Sequence, residues 1–132
     1  LLFVTANEAC GTFFNWRDEY VPGERFTGGG VNRANEKQYG ALRAIDPKTG
    51  EKRWEFTLTS TSWAGVLSTG SDLVFTSASG YLMALDGRTG KNLWRYQTGA
   101  PVYAAPITFM LDGKQHVLLP SGTTLTAFAL PD

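Results

Sequence analysis

The chain has 132 residues, and its 12 Lys and Arg balance 12 Asp and Glu, giving a formal net charge of zero. That length supports one domain with a real core, and the balance gives no electrostatic reason to expect nucleic acid or an anionic membrane surface as partner. With one cysteine, Cys10, and one histidine, His116, no internal disulfide can form, and a zinc site or a Ser/His/Asp triad has little to be built from.

Fifteen glycines, four tryptophans and short apolar runs read as all-β. The opening Leu1-Leu2-Phe3-Val4-Thr5 carries no basic segment and reads as a strand, not a leader. A chain that opens in mid-strand without Met looks like a piece of something larger. Residues 7–39 follow as a long irregular insertion rich in Gly and charge. It holds Phe13, Phe14, Trp16, Tyr20 and Phe26 beside Arg17, Asp18, Glu19, Glu24 and Arg25. Loops of this length are often functional. One reading is a lid or partner-docking loop; the other is a decorating loop that packs its aromatics on the sheets.

The next segments repeat. Gly40–Thr59 aligns without a gap on Gly80–Gly99, matching Leu42 with Leu82, Ala44 with Ala84, Asp46 with Asp86, Thr49-Gly50 with Thr89-Gly90, and Trp54 with Trp94. The shared pattern is A-x-D-x-[KR]-T-G-x-x-x-W, at an offset close to one four-stranded propeller blade. Leu125-Thr126-Ala127-Phe128 begins a third copy. Lettering strands A to D from the axis outward, the first blade supplies B (Leu1–Thr5), C (Ala41–Ile45) and D (Lys52–Leu58). The second supplies Gly65–Ser68, Leu73–Ser77, Tyr81–Leu85 and Asn92–Gln97. The third supplies A (Ala104–Phe109), B (Gln115–Leu119) and C (Thr123–Ala129). The fold expected is therefore a partial β-propeller of about two and a half blades.

A blade cannot bury both faces alone and must stack on its neighbours. Trp54 and Trp94 are the expected stacking elements, with Ala44 and Ala84 small enough for a ring to lie flat. The indole N–H needs an acceptor, which a neighbouring carbonyl can supply. Because they recur with the blade, these two tryptophans read as structural. Asp46 and Asp86 sit in equivalent turns and read as turn residues, not as a catalytic carboxylate pair. Leu111-Asp112-Gly113-Lys114 is a hairpin signal. Gly28-Gly29-Gly30 lacks the Gly-Lys-Ser/Thr of a phosphate loop. Cys10 reads as a passive thiol, since the sole histidine, His116, falls in a strand of another blade.

The eleven-residue pattern resembles the tryptophan-docking motif of the pyrroloquinoline quinone (PQQ)-dependent dehydrogenases. Trp63-Ala64-Gly65-Val66-Leu67-Ser68-Thr69 with Asp72–Thr76 and Gly80-Tyr81 is similar to a stretch near the C-terminus of the methanol and ethanol enzymes. So are Leu93–Gly99, Ala105–Phe109 with Asp112–Gln115, and Leu2–Asn7. The resemblance implies residues 1–132 as the C-terminal blades of an eight-bladed quinoprotein propeller. It implies oxidation of primary alcohols with PQQ, calcium or a lanthanide, a cytochrome-type acceptor and a periplasmic location.

Carried over by position, the catalytic Asp, the metal-ligating Glu and Asn and the adjacent-cysteine pair lie upstream of the matching part. This chain is thus expected to supply no catalytic residue and no metal ligand, and to be inactive without the remaining N-terminal blades. Asn15-Trp16 lies after the matching strand and takes no transferred role. What transfers is Trp63 and Ala64, whose turn touches the PQQ edge in the family. Trp63 stands outside the repeat, Tyr103 being near that place in the third blade. The alternative is a non-catalytic propeller of the outer-membrane assembly lipoprotein type, or an interaction module. Open sheet edges invite self-association in either case.

Overall fold

The computed structural model describes residues 1–33 and 38–131; residues 34–37, within the insertion, and Asp132 lie outside that description. Every regular element is a β-strand, and every pairing is antiparallel. The first sheet has the order β1 (Leu2–Glu8), β4 (Tyr39–Ile45), β5 (Lys52–Leu58). The second is complete, with β6 (Leu67–Ser68), β7 (Leu73–Ala78), β8 (Tyr81–Asp86) and β9 (Asn92–Gln97). The third has β10 (Ile107–Leu111), β11 (Lys114–Ser121) and β12 (Thr124–Ala129). A separate hairpin pairs β2 (Gly11–Asn15) with β3 (Gly29–Arg33).

The three sheets fall where the forty-residue repeat places them, with differences at strand ends. The inner strands are shorter than expected. β10 starts after Pro106, which has no N–H to give to a ladder. β1 continues to Glu8, opposite Tyr39. The insertion expected to be irregular contains the β2–β3 hairpin. Its strand signal is masked by polar and Gly residues, and the partners are separated by the turn-rich 16–28.

Local chemistry closes each outer turn in the same way. Asp86 Oδ1 accepts from the N–H groups of Arg88 (2.9 Å) and Thr89 (2.8 Å), and Gly90 N–H donates to Asp86 O at 2.8 Å. Asp46 repeats this with Lys48 N–H at 2.9 Å and Gly50 N–H at 2.8 Å. The Asp112-Gly113 hairpin has φ of 51° and 77° at its two central residues, the double positive φ that a two-residue hairpin needs.

The first and second sheets share a core of Leu42, Leu58, Val74, Ala78, Met83 and Leu85, with Phe3, Trp54, Phe56, Val66 and Tyr81 packed around it. Leu82 to Leu85 are all buried, so both faces of β8 are covered. Trp54 locks the stack. It pairs across the ladder with Ala44, and its Nε1–H donates to Gly87 O at 3.0 Å in the second sheet. A Cβ built on Gly90 would come within 2.7 Å of the Trp54 ring, so the indole lies directly on that glycine. A small residue that receives the ring in the next sheet is thus Gly90.

Trp94 is placed differently. It remains 41% exposed and meets Phe128 edge-on at 5.5 Å and Tyr96 in a stack at 6.2 Å. Among the described residues no turn equivalent to Gly87–Gly90 follows β12. Both tryptophans meet the next sheet, as expected of stacking elements, Trp54 with a carbonyl acceptor for its N–H and Trp94 through the Phe128 ring.

Trp54→Ala should cost about 3 kcal/mol of stability, the low end for a tryptophan in a core because the ring is half-buried. Trp94→Ala should cost clearly less, and urea midpoints of the two variants would show the order. Acid should act on the turns. The Thr89 backbone N–H, then its hydroxyl, hold the Asp86 carboxyl below its usual value, and the Arg53 guanidinium followed by the Lys48 N–H does the same for Asp46. Folded-state values lowered in this way stabilise the chain above the unfolded carboxyl value of about 4, and that contribution is lost as pH falls through it and below. The urea midpoint should drop on acidification below that value, and less steeply in Asp86→Asn.

Candidate functional site

Residues 59–66 join the outer strand of the first sheet to the inner strand of the second. Within this loop Ser62 is 5% exposed and Ala64 2%, while Trp63 between them is 71% exposed. An exposed indole on a buried backbone needs a physical cause, and it lies at the end of β1. Asn7 Nδ2–H donates to Ser62 O at 2.9 Å, and Ser62 N–H donates to Asn7 Oδ1 at 3.0 Å. The carboxamide satisfies both backbone groups of one residue, as a neighbouring strand would.

Further bonds complete the clamp. The Ser62 hydroxyl donates to Ser77 O on β7 and accepts from Ala64 N–H at 3.2 Å. Thr5 Oγ1 donates to Ala64 O at 3.4 Å. The loop is thus held by the first and second sheets at once. Gly65 follows, where an added Cβ would lie 2.7 Å from the Ala105 Cβ, so the inner segments of the second and third sheets nearly touch. Tyr103, just ahead of that contact, is 70% exposed, like Trp63.

Asn7 and Glu8 point to opposite faces of β1. On the other face Arg43 bridges Glu8 at 2.6 Å and Glu55 at 2.7 Å, and Lys52 reaches Glu55 at 2.9 Å. Hydrogen bonds that Arg43 donates to Glu55 and then Glu8 raise it above its ordinary range, while Lys52, then Arg43, hold Glu55 below the usual carboxylate value. The root of the insertion is therefore pinned on both faces.

The insertion packs against itself. Phe14 and Trp16 rings lie 5.6 Å apart, Tyr20 meets Phe26 at 6.1 Å, and Phe13 stays 82% exposed. Gly30 lies against the Phe14 and Trp16 rings, where a Cβ would come within 3.1 Å of the former. Gly30 thus serves ring packing, and Gly29 the close approach of β3 to the Phe14 and Asn15 backbone. Phe13, Phe14, Arg25 and Val31 line an open hollow there. His116 stacks on Phe109 at 5.2 Å across the β10–β11 ladder, and Cys10 is exposed at the base of the hairpin. Among the described residues no three His, Cys, Asp or Glu side chains cluster as a metal would require.

Of the two residues singled out from the sequence, Trp63 is open to solvent and Ala64 is enclosed, its backbone N–H and carbonyl both hydrogen-bonded. The clamp itself, Asn7 with Ser62, was not legible. Asn7 belongs to a recognisable stretch, but its partner lies 55 residues away.

Antiparallel sheets stacked face to face, with an indole from one seated on a glycine turn of the next, define a β-propeller. The family model described as outer membrane protein assembly factor BamB, built on the PQQ repeat, matches residues 38–131, and the chain belongs to that family of PQQ-type propeller repeats. The quinoprotein alcohol dehydrogenase PedH of Pseudomonas putida is 38% identical over 125 residues, covering 92% of this chain and 21% of that protein. The chain thus spans about a fifth of the length of the curated relatives it matches. A europium-containing methanol dehydrogenase superposes with a TM-score of 0.81 at 30% identity, over 91% of this chain and 22% of that one. BamB from Moraxella catarrhalis superposes with a TM-score of 0.55 at 30% identity, over 70% of this chain and 29% of that one. The dehydrogenase likeness covers more of the chain and is the closer in shape.

If Trp63 is presented outward and bears no packing load, Trp63→Ala should change stability by no more than about 0.5 kcal/mol. Ser62→Ala, which strips the hydroxyl from the clamp, should cost about 1 kcal/mol. Urea unfolding of the two variants compares them directly.

Proposed function

We propose that this chain forms the C-terminal blades of a PQQ-dependent alcohol dehydrogenase and contributes Trp63, with Ala64 as its buried support, to the wall of the cofactor site. The observation that carries the reading is the contrast inside one loop: an indole outside the blade repeat, open to solvent, on a backbone fixed on either side. Rigid aromatic surfaces of this kind suit a planar, conjugated ligand, because stacking needs little further ordering.

When bound, the quinone would supply the hydride acceptor for a primary alcohol. Trp63 would hold and orient its ring system and keep water from one side. Ala64 would keep the backbone close to the sheets. The base and the ligands for calcium or a lanthanide would come from blades preceding Leu1. Relatives carry the names lanthanide-dependent methanol dehydrogenase and methanol dehydrogenase [cytochrome c] subunit 1, which supports a metal and a cytochrome-type acceptor for the whole protein. The same relationship supports a periplasmic setting. Among the described residues no helix is long and apolar enough to cross a membrane.

The apolar side chains left open on the terminal sheets fit this role. Leu2 on the first sheet and Ile107, Met110, Leu111 and Leu125 on the third are all more than half exposed. Apolar side chains left open in this number on strand faces are normally covered, here by neighbouring blades. The family model's description keeps a scaffold function as the second reading. Trp63 separates the two, since a scaffold needs no free indole at the inner end of a blade.

The test joins this chain to the preceding blades and supplies PQQ with calcium or a lanthanide. A primary alcohol should then reduce an artificial acceptor, and Trp63→Ala should weaken PQQ binding about tenfold, which corresponds to ~1.4 kcal/mol, the upper part of the range for one aromatic contact. Unchanged PQQ affinity in that variant would remove Trp63 from the site. No PQQ binding at all would favour the scaffold.

A further inference from the structure

We infer that Asn7 is a positioning residue for Trp63: its side-chain amide, bonded to both backbone groups of Ser62, sets the direction in which the indole is presented. The inference rests on the reading of Trp63 as a cofactor-site residue only for its functional consequence.

The argument starts from what a loop needs in order to hold an exposed ring still. Burial does not fix Trp63, which is 71% exposed. Its direction must come from the backbone, and the backbone on its N-terminal side is Ser62. That residue makes four bonds: two to Asn7, at 2.9 and 3.0 Å, one from its hydroxyl to Ser77 O, and one that the hydroxyl accepts from Ala64 N–H. The hydroxyl bond could persist through rotation of the peptide units. The paired bonds to Asn7 could not, because a planar amide engages N–H and C=O together in only one orientation. Asn7 itself sits on β1, a seven-residue strand paired along its whole length with β4, and Glu8 next to it is tied to Arg43. A rigid strand end thus holds the clamp, and the clamp holds the loop.

The chemistry of the pair gives a specific signature. A neutral carboxylic acid has the same shape as the amide and can also donate one hydrogen bond and accept another, whereas a carboxylate only accepts. Asn7→Asp should therefore restore the clamp when its carboxyl is protonated, below pH about 4, and lose the bond to Ser62 O above it. A residue that merely fills space would show no such return.

The experiment labels the full chain with 5-fluorotryptophan and follows the fluorine resonances, assigning Trp63 through Trp63→Phe and using Trp54 as an internal reference for folding. In Asn7→Ala the Trp63 resonance should shift or broaden while that of Trp54 stays in place. In Asn7→Asp the Trp63 resonance should be displaced at neutral pH and return to the wild-type position in acid. An unmoved Trp63 resonance in both variants would overturn the inference. So would loss of the Trp54 signal in both at every pH, which would make Asn7 a folding residue instead.

A second arm uses the chain joined to its preceding blades. Asn7→Ala should weaken PQQ binding about tenfold, and adding it to Trp63→Ala should give no further loss, because the two changes remove one interaction. If Trp63→Ala leaves PQQ affinity unchanged while the fluorine signals behave as described, the cofactor reading fails and the positioning role stands.

Discussion

The structure depends on one indole. Trp54 rests flat on Gly90 and donates to Gly87 O, and this contact is what turns separate sheets into a stack. Each sheet presents two apolar faces, and an antiparallel ladder by itself covers neither. The tryptophan packs the outer turn of one sheet against the next. Its N–H would be costly to bury unpaired, so the carbonyl of Gly87 fixes position as well as contact. Gly90 has φ of 73° and carries the ring above it, so no other residue type meets both demands.

The contact between the second and third sheets is built differently. Trp94 meets Phe128 and Tyr96 and stays partly in solvent. The loop from Thr98 adds hydrogen bonds. Ser121 Oγ donates to Ala100 O at 2.9 Å, and Gly122 N–H donates to Pro101 O at 3.2 Å. The second and third sheets are therefore tied by the Trp94, Tyr96 and Phe128 rings and by bonds to backbone carbonyls, the first and second by an aromatic lock and a shared core.

The loop that carries Trp63 illustrates a division of labour between neighbours in sequence. Ser62 and Ala64 spend their polar groups on the scaffold, leaving the residue between them free for a partner. Alternation along an extended segment makes this division natural, since successive side chains face opposite ways.

How much of this was written in the sequence follows from the range of each interaction. The forty-residue repeat, the Asp and Thr-Gly turns and the Asp112-Gly113 hairpin depend on residues a few positions apart, and the three sheets are found where those signals put them. Trp63 stood out because it breaks the repeat. The β2–β3 hairpin did not, because its pairing spans a polar, Gly-rich turn and its strands lack clean alternation. Nor did the clamp: Asn7 and Ser62, or Trp54 and Gly87, become neighbours only once separate strands have stacked. Local chemistry thus determined the strands and turns of this protein, while the tertiary structure alone decided which glycine receives the indole and which amide holds the loop, because such contacts exist only after distant segments meet.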